Sequence, residues 1–215
     1  MTQDGHTGET AAGSTHRKSG AERLAETRAR LLDAVLATLA ERGYAGTSTS
    51  EVARHSGLTR GAQLHHFGTK DLMMVAAVNY LAERTRAVDV EATLAHVPTG
   101  PERVHAALAI MSQLFTGVLA EAYVELWVAS RSLRELADAL RDSEVVAREA
   151  VRSLFGQELL EQATPEFDAL LDLTLYALRG MSLDVHLADE AERRARADLI
   201  LSLETYFNQT LGIDP

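Results

Sequence analysis

Apolar residues recur at helical spacing along almost the whole chain, and no stretch alternates in the way a strand does. Breaks in this pattern predict helices at 21–42, 48–56, 59–65, 70–90, 102–118, 119–130, 132–156, 165–187 and 189–211. The clearest break contains Pro98, Gly100 and Pro101. Residues 1–20 lack large apolar side chains and predict a disordered tail. The pattern therefore predicts an all-α protein with a head at 21–68 and a larger rear domain at 69–215, joined by the long helix from Lys70.

The segment from Thr47 to Lys70 predicts two short helices joined by a tight turn. Ser48 and Glu51 form an S-x-x-E start signal for the first helix. Gly57 supplies the turn, because glycine adopts positive φ at little steric cost, and Thr59 is placed to cap the second helix. Such a pair is typical of the helix-turn-helix of DNA-binding proteins.

Helical geometry gives the second of these helices an inner and an outer face. At about 100° per residue, Leu58 and Ala62 turn inward. The outer face carries Arg60, Gly61, Gln63 and Leu64. Arginine pairs with guanine and glutamine with adenine in the major groove, and a glycine lets the backbone approach DNA closely. A small surface helix with ordinary polar residues is the alternative that geometry leaves open.

This region resembles the N-terminal domain of the TetR family of bacterial regulators, from about Arg28 to Ala76. The resemblance rests on Gly43-Tyr44, Thr47, Glu51-Val52-Ala53, the run from Ser56 to Ala62, His65-His66-Phe67 and Lys70-Asp71-Leu72. It implies DNA contacts by Thr49, Thr59, Arg60, Gly61, Gln63, Leu64, His65, His66 and Lys70. The family usually has a tyrosine, which commonly reaches a DNA phosphate, where this chain has Leu64. Lys70 lies in the first turn of its helix, where the helix dipole disfavours a cation, and the family's lysine there commonly contacts the DNA backbone.

The distribution of charge reconciles an acidic chain with a DNA-binding head. The net charge is −10, yet residues 1–86 hold 11 basic and 9 acidic residues, whereas residues 87–215 hold 10 and 22. An acidic rear repels phosphate and favours docking head-first, although acids that simply keep a helical surface soluble explain it too. Arg17 and Lys18 end the tail, either as a basic arm for DNA or as incidental charges.

The last two predicted helices suggest a subunit interface. Apolar residues wrap almost completely around helix 165–187, as in a helix buried on more than one side. The final helix carries a stripe of Leu199, Leu203, Tyr206 and Phe207. Two such helices facing a two-fold copy form a four-helix bundle, and TetR-like proteins dimerise in this way. We therefore expect a homodimer through about residues 165–211, with a monomeric core as the alternative.

Aromatic and polar residues of the rear domain suggest a ligand site between the helices. The candidate set is Met111, Phe115, Tyr123, Trp127, Tyr176 and Arg179. A mostly apolar cavity with a few polar groups is the usual form of a small-molecule site, although ordinary core packing explains each residue equally well. A buried Arg179 needs a partner, which is either an acid such as Glu125 or an anionic ligand group. Glu121 and Glu125 beside Trp127 suit a cationic aromatic ligand, or a solvated acidic face.

Motifs of other protein classes are missing from the sequence. There is no cysteine, no P-loop, dinucleotide-binding or G-x-S-x-G motif, and no histidine spacing typical of zinc. No apolar run approaches the 18 residues of a membrane span. We expect a cytoplasmic protein without enzymatic activity, cofactor, metal or membrane partner.

The function expected from these features is ligand-responsive regulation of transcription. The resemblance implies a repressor that leaves a palindromic operator of double-stranded DNA when a small-molecule effector binds the rear domain. A helical small-molecule-binding protein with a weak or lost DNA-binding head is the main alternative. A helical enzyme whose acid and base come from distant residues is a further one.

Overall fold

A computed structural model describes residues 19–87, 92, 101–155, 161, 164–183 and 189–213. Within these residues the chain forms nine α-helices and no strand. They are α1 (Gly20–Gly46), α2 (Thr49–Ser56), α3 (Arg60–Phe67), α4 (Lys70–Arg86), α5 (Pro101–Leu114), α6 (Gly117–Ala129), α7 (Arg134–Ser153), α8 (Pro165–Leu183) and α9 (Glu190–Leu211). The predicted all-α fold is confirmed. Most of the predicted tail, with Arg17 and Lys18, and the break around Pro98 lie outside the described residues.

Local signals explain where the helices of the head begin. Ser19 caps α1 in a complete capping box with Glu22. Ser48 caps α2 by accepting the Glu51 N–H at 3.2 Å, and Thr69 caps α4 by accepting the Leu72 N–H at 3.2 Å. At α2 the Glu51 carboxylate turns to neighbouring arginines, Arg54 at 2.9 Å and Arg42 at 3.4 Å.

Several helix boundaries differ from the prediction by a few residues, and local structure explains two of these differences. Gly43 leaves helical geometry at φ 67°, as predicted, but a final turn of α1 continues beyond it to Gly46. The break between α5 and α6 lies at Phe115 and Thr116, earlier than the predicted break after residue 118. There the Thr116 hydroxyl donates to the Gln113 carbonyl oxygen at 2.8 Å, a side-chain bond that competes with continuation of the helix.

A first core joins the head to part of the rear domain. It contains α1, α2, the buried ring of Phe67, α4, and the inner residues of α6 and α7. Tyr44 and Leu58 pack against its edge, which agrees with the inward direction predicted for Leu58. Ala122 and Leu126 of α6 are fully buried in it. The helix α6 is therefore packed directly on the head, across the domain boundary predicted at residue 68.

A second core holds the other end of the rear domain. Three phenylalanines meet at its centre with ring centroids 4.9–5.6 Å apart, namely Phe155, Phe167 and Phe207. Inner residues of α5, α7, α8 and α9 surround them. Among the described residues no single helix is long and apolar enough to cross a membrane, whereas α5 and α6 reach that length and composition only as a pair bent by 67°.

Candidate DNA-binding surface and ligand cavity

A left-handed glycine and three hydrogen bonds hold the turn between α2 and α3. Gly57 adopts φ 68° and ψ 19°, a conformation that a side chain disfavours. The Leu58 N–H donates to the Ala53 carbonyl oxygen at 3.2 Å and to Ser56 Oγ at 3.3 Å. From α1, the Arg30 guanidinium donates to the Ser56 carbonyl oxygen at 3.1 Å. These bonds fix the direction in which α3 leaves the turn.

One side of α3 is open to solvent. Thr59, Gly61 and His65 are exposed, and among the side chains that the structure describes a Cβ atom added at Gly61 would meet Thr59 Oγ1 alone, at 3.8 Å. Another helical backbone or a DNA groove can therefore approach here closely. The side chains of the predicted base-reading residues Arg60, Gln63 and Leu64 lie outside the described part of the chain, and their roles stay predictions.

The two histidines of α3 have different surroundings. His66 is half-buried, and its ring centroid lies 6.0 Å from that of the buried Phe67. Burial lowers the pKa of His66, and the nearby charges of His65 and Arg28 lower it further. His66 therefore resists taking up a proton, whereas His65 lies in solvent. Thr49, the other predicted contact on the preceding helix, is half-buried.

Lys70 has a partner within the protein. Its ammonium group donates to the Tyr44 carbonyl oxygen at 2.6 Å and lies 4.1 Å from the centroid of the Tyr44 ring. Burial lowers the pKa of Lys70, while Asp71 opposes this effect. The carbonyl oxygen accounts for a cation at the start of a helix without any phosphate. An ammonium group has three donors, so the predicted phosphate contact stays compatible with this bond.

Tyr44 also connects the head to α6. Its backbone N–H donates to Glu125 Oε2 at 2.6 Å, and the same carboxylate lies against Gly43, where a Cβ atom would meet Oε2 at 3.0 Å. Glu125, Tyr44 and Lys70 thus form a continuous chain of bonds from the rear domain to the start of α4. The expectation that Glu125 would pair with Arg179 or face a cationic ligand is wrong, because its carboxylate is bound to the head.

Arg179 pairs instead with Glu144 of α7. Its Nη2 lies 2.6 Å from Oε1 and 2.8 Å from Oε2 of that carboxylate, and the Tyr123 hydroxyl donates to the same group. Burial raises the pKa of Tyr123, and the charge of Glu144 raises it further. Nothing in the sequence distinguished Glu144 from the exposed acids around it on the amphipathic α7, so its role was missed.

Three aromatic rings surround the Arg179 guanidinium. Its central carbon lies 5.3 Å from the ring centroid of Trp127, 5.7 Å from that of Tyr123 and 5.9 Å from that of Tyr176. These distances are within the range of cation–π attraction. Tyr123, Trp127 and Tyr176 therefore do lie close together, but the group at their centre is the guanidinium of Arg179 and not a ligand.

A cavity of about 400 Å³ lies between helices α4 to α8, next to this cluster. Leucine, isoleucine, valine, alanine and Phe115 form most of its wall. Of the predicted ligand-binding residues, Phe115, Tyr123 and Arg179 line it. Met111 belongs to the second core, and Trp127 and Tyr176 lie at the surface, 38% and 66% exposed. Those three residues are not brought to this cavity.

The rear domain leaves an apolar surface uncovered on its last two helices. We call it the outer face, and it consists of Leu173, Tyr176 and Leu183 of α8 with Leu199 and Tyr206 of α9. Leu203 and Phe207 of the predicted stripe are instead buried in the second core. The described residues contain no cluster of three or more histidine, aspartate or glutamate side chains placed to hold a metal ion.

Comparisons with known proteins agree with this geometry. Residues 31–77 match the family model described as "Bacterial regulatory proteins, tetR family". The HTH-type transcriptional regulator CymR of Pseudomonas putida is 42% identical over 71 residues, which cover 33% of this chain and 35% of CymR. The uncharacterized HTH-type transcriptional regulator Rv2912c of Mycobacterium tuberculosis is 31% identical over 147 residues, 66% of this chain and 75% of that protein. A crystal structure of a transcriptional regulator from Rhodococcus sp. Rha1 superposes with a TM-score of 0.58 at 27% identity, covering 86% of this chain and 94% of that one.

Proposed function

The chain belongs to the TetR family of bacterial regulatory proteins and is a DNA-binding transcriptional regulator; from that premise we propose that it is a homodimeric, ligand-responsive repressor. Each subunit inserts α3 into the major groove at one half of a palindromic operator. The protein acts in the cytoplasm. A small molecule bound in the cavity of the rear domain releases the operator.

The observation that carries this proposal is the open side of α3 beside a rigid turn. Gly61 and His65 face solvent at the end of a helix pair held by Gly57, which is the arrangement that a recognition helix needs. Arg60 and Gln63 supply base contacts, and Leu64 supplies an apolar contact with a thymine methyl group. Lys70 supplies a phosphate contact that carries no sequence information.

The release step needs a ligand that favours one separation of the two heads over another. The helices α4 and α6 both border the cavity and both pack in the first core. Movement of either helix on ligand binding therefore reaches the head directly. The outer face supports the dimer, because five large apolar side chains on adjacent helices are exposed there in a single chain.

Fluorescence anisotropy with DNA flanking the chain's own gene tests the DNA-binding surface. Arg60→Ala is expected to weaken binding to the operator and relax its base preference, because a bidentate contact contributes about 1–3 kcal/mol of discrimination. Lys70→Ala is expected to weaken binding to all sequences and to reduce the salt slope by about 0.9 for each phosphate that the variant no longer neutralises.

Arg141→Ala is the matched control, because it removes the same charge from an exposed site on α7. Wild-type affinity and salt slope in both head variants would contradict the proposed surface. A wild-type chain that binds no flanking DNA but still binds small molecules would favour the alternative, a ligand-binding protein whose head has lost DNA activity.

A further inference from the structure

We propose that the cavity accepts an apolar molecule with one anionic group, such as a carboxylate, which Arg179 holds. This inference deepens the proposed function, since it takes the cavity to be the effector site and states the chemical class of the effector. It rests on the hydrogen bonding of Arg179, the charges on the cavity wall and the size of the cavity.

Arg179 carries a donor that the protein leaves unused. Its side chain lines the cavity and the residue is only 8% exposed, yet its Nε–H has no hydrogen-bond partner among the described residues. Leaving a buried donor unsatisfied costs about 1–3 kcal/mol, and more on a charged group. Because the Nε atom itself is buried, an oxygen atom of a bound ligand would satisfy it after neighbouring side chains move, and a guanidinium suits a carboxylate better than any neutral acceptor.

The charges on the wall favour a negative ligand over a positive one. The cavity is lined by Arg84, Arg148 and Arg179, and Glu144 is the one acid among its described lining residues. The Glu144 carboxylate already accepts bonds from Arg179 and from the Tyr123 hydroxyl. An amine that entered the cavity would therefore find its carboxylate partner occupied. Arg84 and Arg148 are paired with Asp33 and Asp172, so Arg179 is the guanidinium that remains to hold an anion.

The two features that favoured a cationic aromatic ligand are also occupied. Glu125 is bound to the Tyr44 backbone, and the rings of Trp127, Tyr123 and Tyr176 already surround the Arg179 guanidinium. A cation from outside would have to displace a cation of the protein from these rings. The remaining wall is apolar and needs an apolar body.

The volume indicates the size of the body that fits inside. About 400 Å³ accommodates roughly thirteen non-hydrogen atoms if each takes about 30 Å³, the share of a water molecule in the liquid. Decanoate, with a carboxylate on a ten-carbon chain, has this size and is the probe. Decanamide keeps its shape without the charge, and undecylamine reverses the charge at the same length.

Isothermal titration calorimetry of the full chain without DNA tests the inference, with each probe below its micelle concentration. Decanoate is expected to bind at least tenfold more tightly than decanamide, and undecylamine is expected not to bind. The double variant Arg179→Gln, Glu144→Gln leaves no unpaired buried charge and is expected to weaken decanoate binding about tenfold to a hundredfold. Arg141→Gln, the control on the surface of α7, is expected to bind like wild type.

Three results would overturn the inference: no binding of decanoate, equal binding of decanoate and either of the other probes, or unchanged decanoate binding by the double variant. Circular dichroism and thermal melting verify that the double variant is folded. Arg179→Lys is a second variant, which keeps the charge but lacks the Nε–H group, and it is expected to bind decanoate more weakly than the wild type. Operator binding is measured separately. Decanoate that binds without releasing the operator would refute the proposed mode of regulation and leave the ligand class standing, whereas operator binding without decanoate binding would refute the ligand class alone.

Discussion

Replacing Glu125 by alanine is expected to destabilise the chain, because its carboxylate joins α6 to the head. The carboxylate oxygen lies 2.6 Å from the Tyr44 nitrogen, and a hydrogen bond to a charged group contributes about 1.5–3 kcal/mol. Because Glu125 is only half-buried, solvent weakens the interaction, and we expect a loss of about 1–2 kcal/mol. For a chain of this length, that loss lowers the melting temperature by roughly 2–4 °C per kcal/mol.

The neighbouring Gly43 makes this prediction more specific. Gly43→Ala is expected to cost about 1–3 kcal/mol, because at φ 67° and ψ 176° it places a side chain in a backbone region that is essentially confined to glycine. Its Cβ would also lie 3.0 Å from Glu125 Oε2, which adds crowding. Removing Glu125 relieves the crowding but leaves the backbone strain, so the double variant should lose less stability than the two single variants together.

Urea denaturation followed by circular dichroism measures the stability of the wild type, the two single variants and the double variant. Because the two residues are in contact, we expect a coupling free energy of at least about 0.5 kcal/mol. Glu41→Ala, which removes an exposed acid from α1, is the control and should unfold with the wild type. The proposed contact between α6 and the head would be refuted if Glu125→Ala were as stable as the control. If the stability loss of the double variant equalled the sum of the losses of the two single variants, the close approach of Glu125 to Gly43 would be refuted.

Three further predictions concern single residues. Ser48→Ala should cost about 1 kcal/mol in thermal denaturation, because it removes the cap of α2, and Ser48→Asp should restore most of it. Leu173→Glu, in the outer face, should convert the proposed dimer to monomers in sedimentation velocity, and an unchanged dimer would place the interface elsewhere. Burial lowers the pKa of His66 below its ordinary value of 6.5, so the unfolded chain binds a proton there before the folded chain does. The stability that neutral His66 contributes to the folded chain above pH 6.5 is therefore lost as the pH falls through the lowered pKa. His66→Gln should consequently reduce the difference between the urea midpoints measured at about pH 7.5 and about pH 5.5.

Local patterns in the sequence were sufficient for the helices and for the turn between α2 and α3. Ser48 and Thr69 start helices, and Gly57 makes the turn, because caps and left-handed glycines act on backbone groups within a few residues. Leu58 packs against the first core as expected, but it lies in the turn before α3 and not in the helix whose period was used to predict this. Phe115, Tyr123 and Arg179 were identified for the cavity because large or charged side chains stand out in an apolar run.

The tertiary structure decided which of these side chains meet. Glu144 and Arg179 lie 35 residues apart, and Glu125 and Tyr44 lie 81 residues apart, so their pairing depends on how α6, α7 and α8 pack against each other and against the head. The same packing turned Trp127 and Tyr176 to the surface and Met111 into the second core. Helical periodicity specifies the face on which a residue lies, whereas only the arrangement of the helices specifies whether that face meets a cavity, a core or solvent.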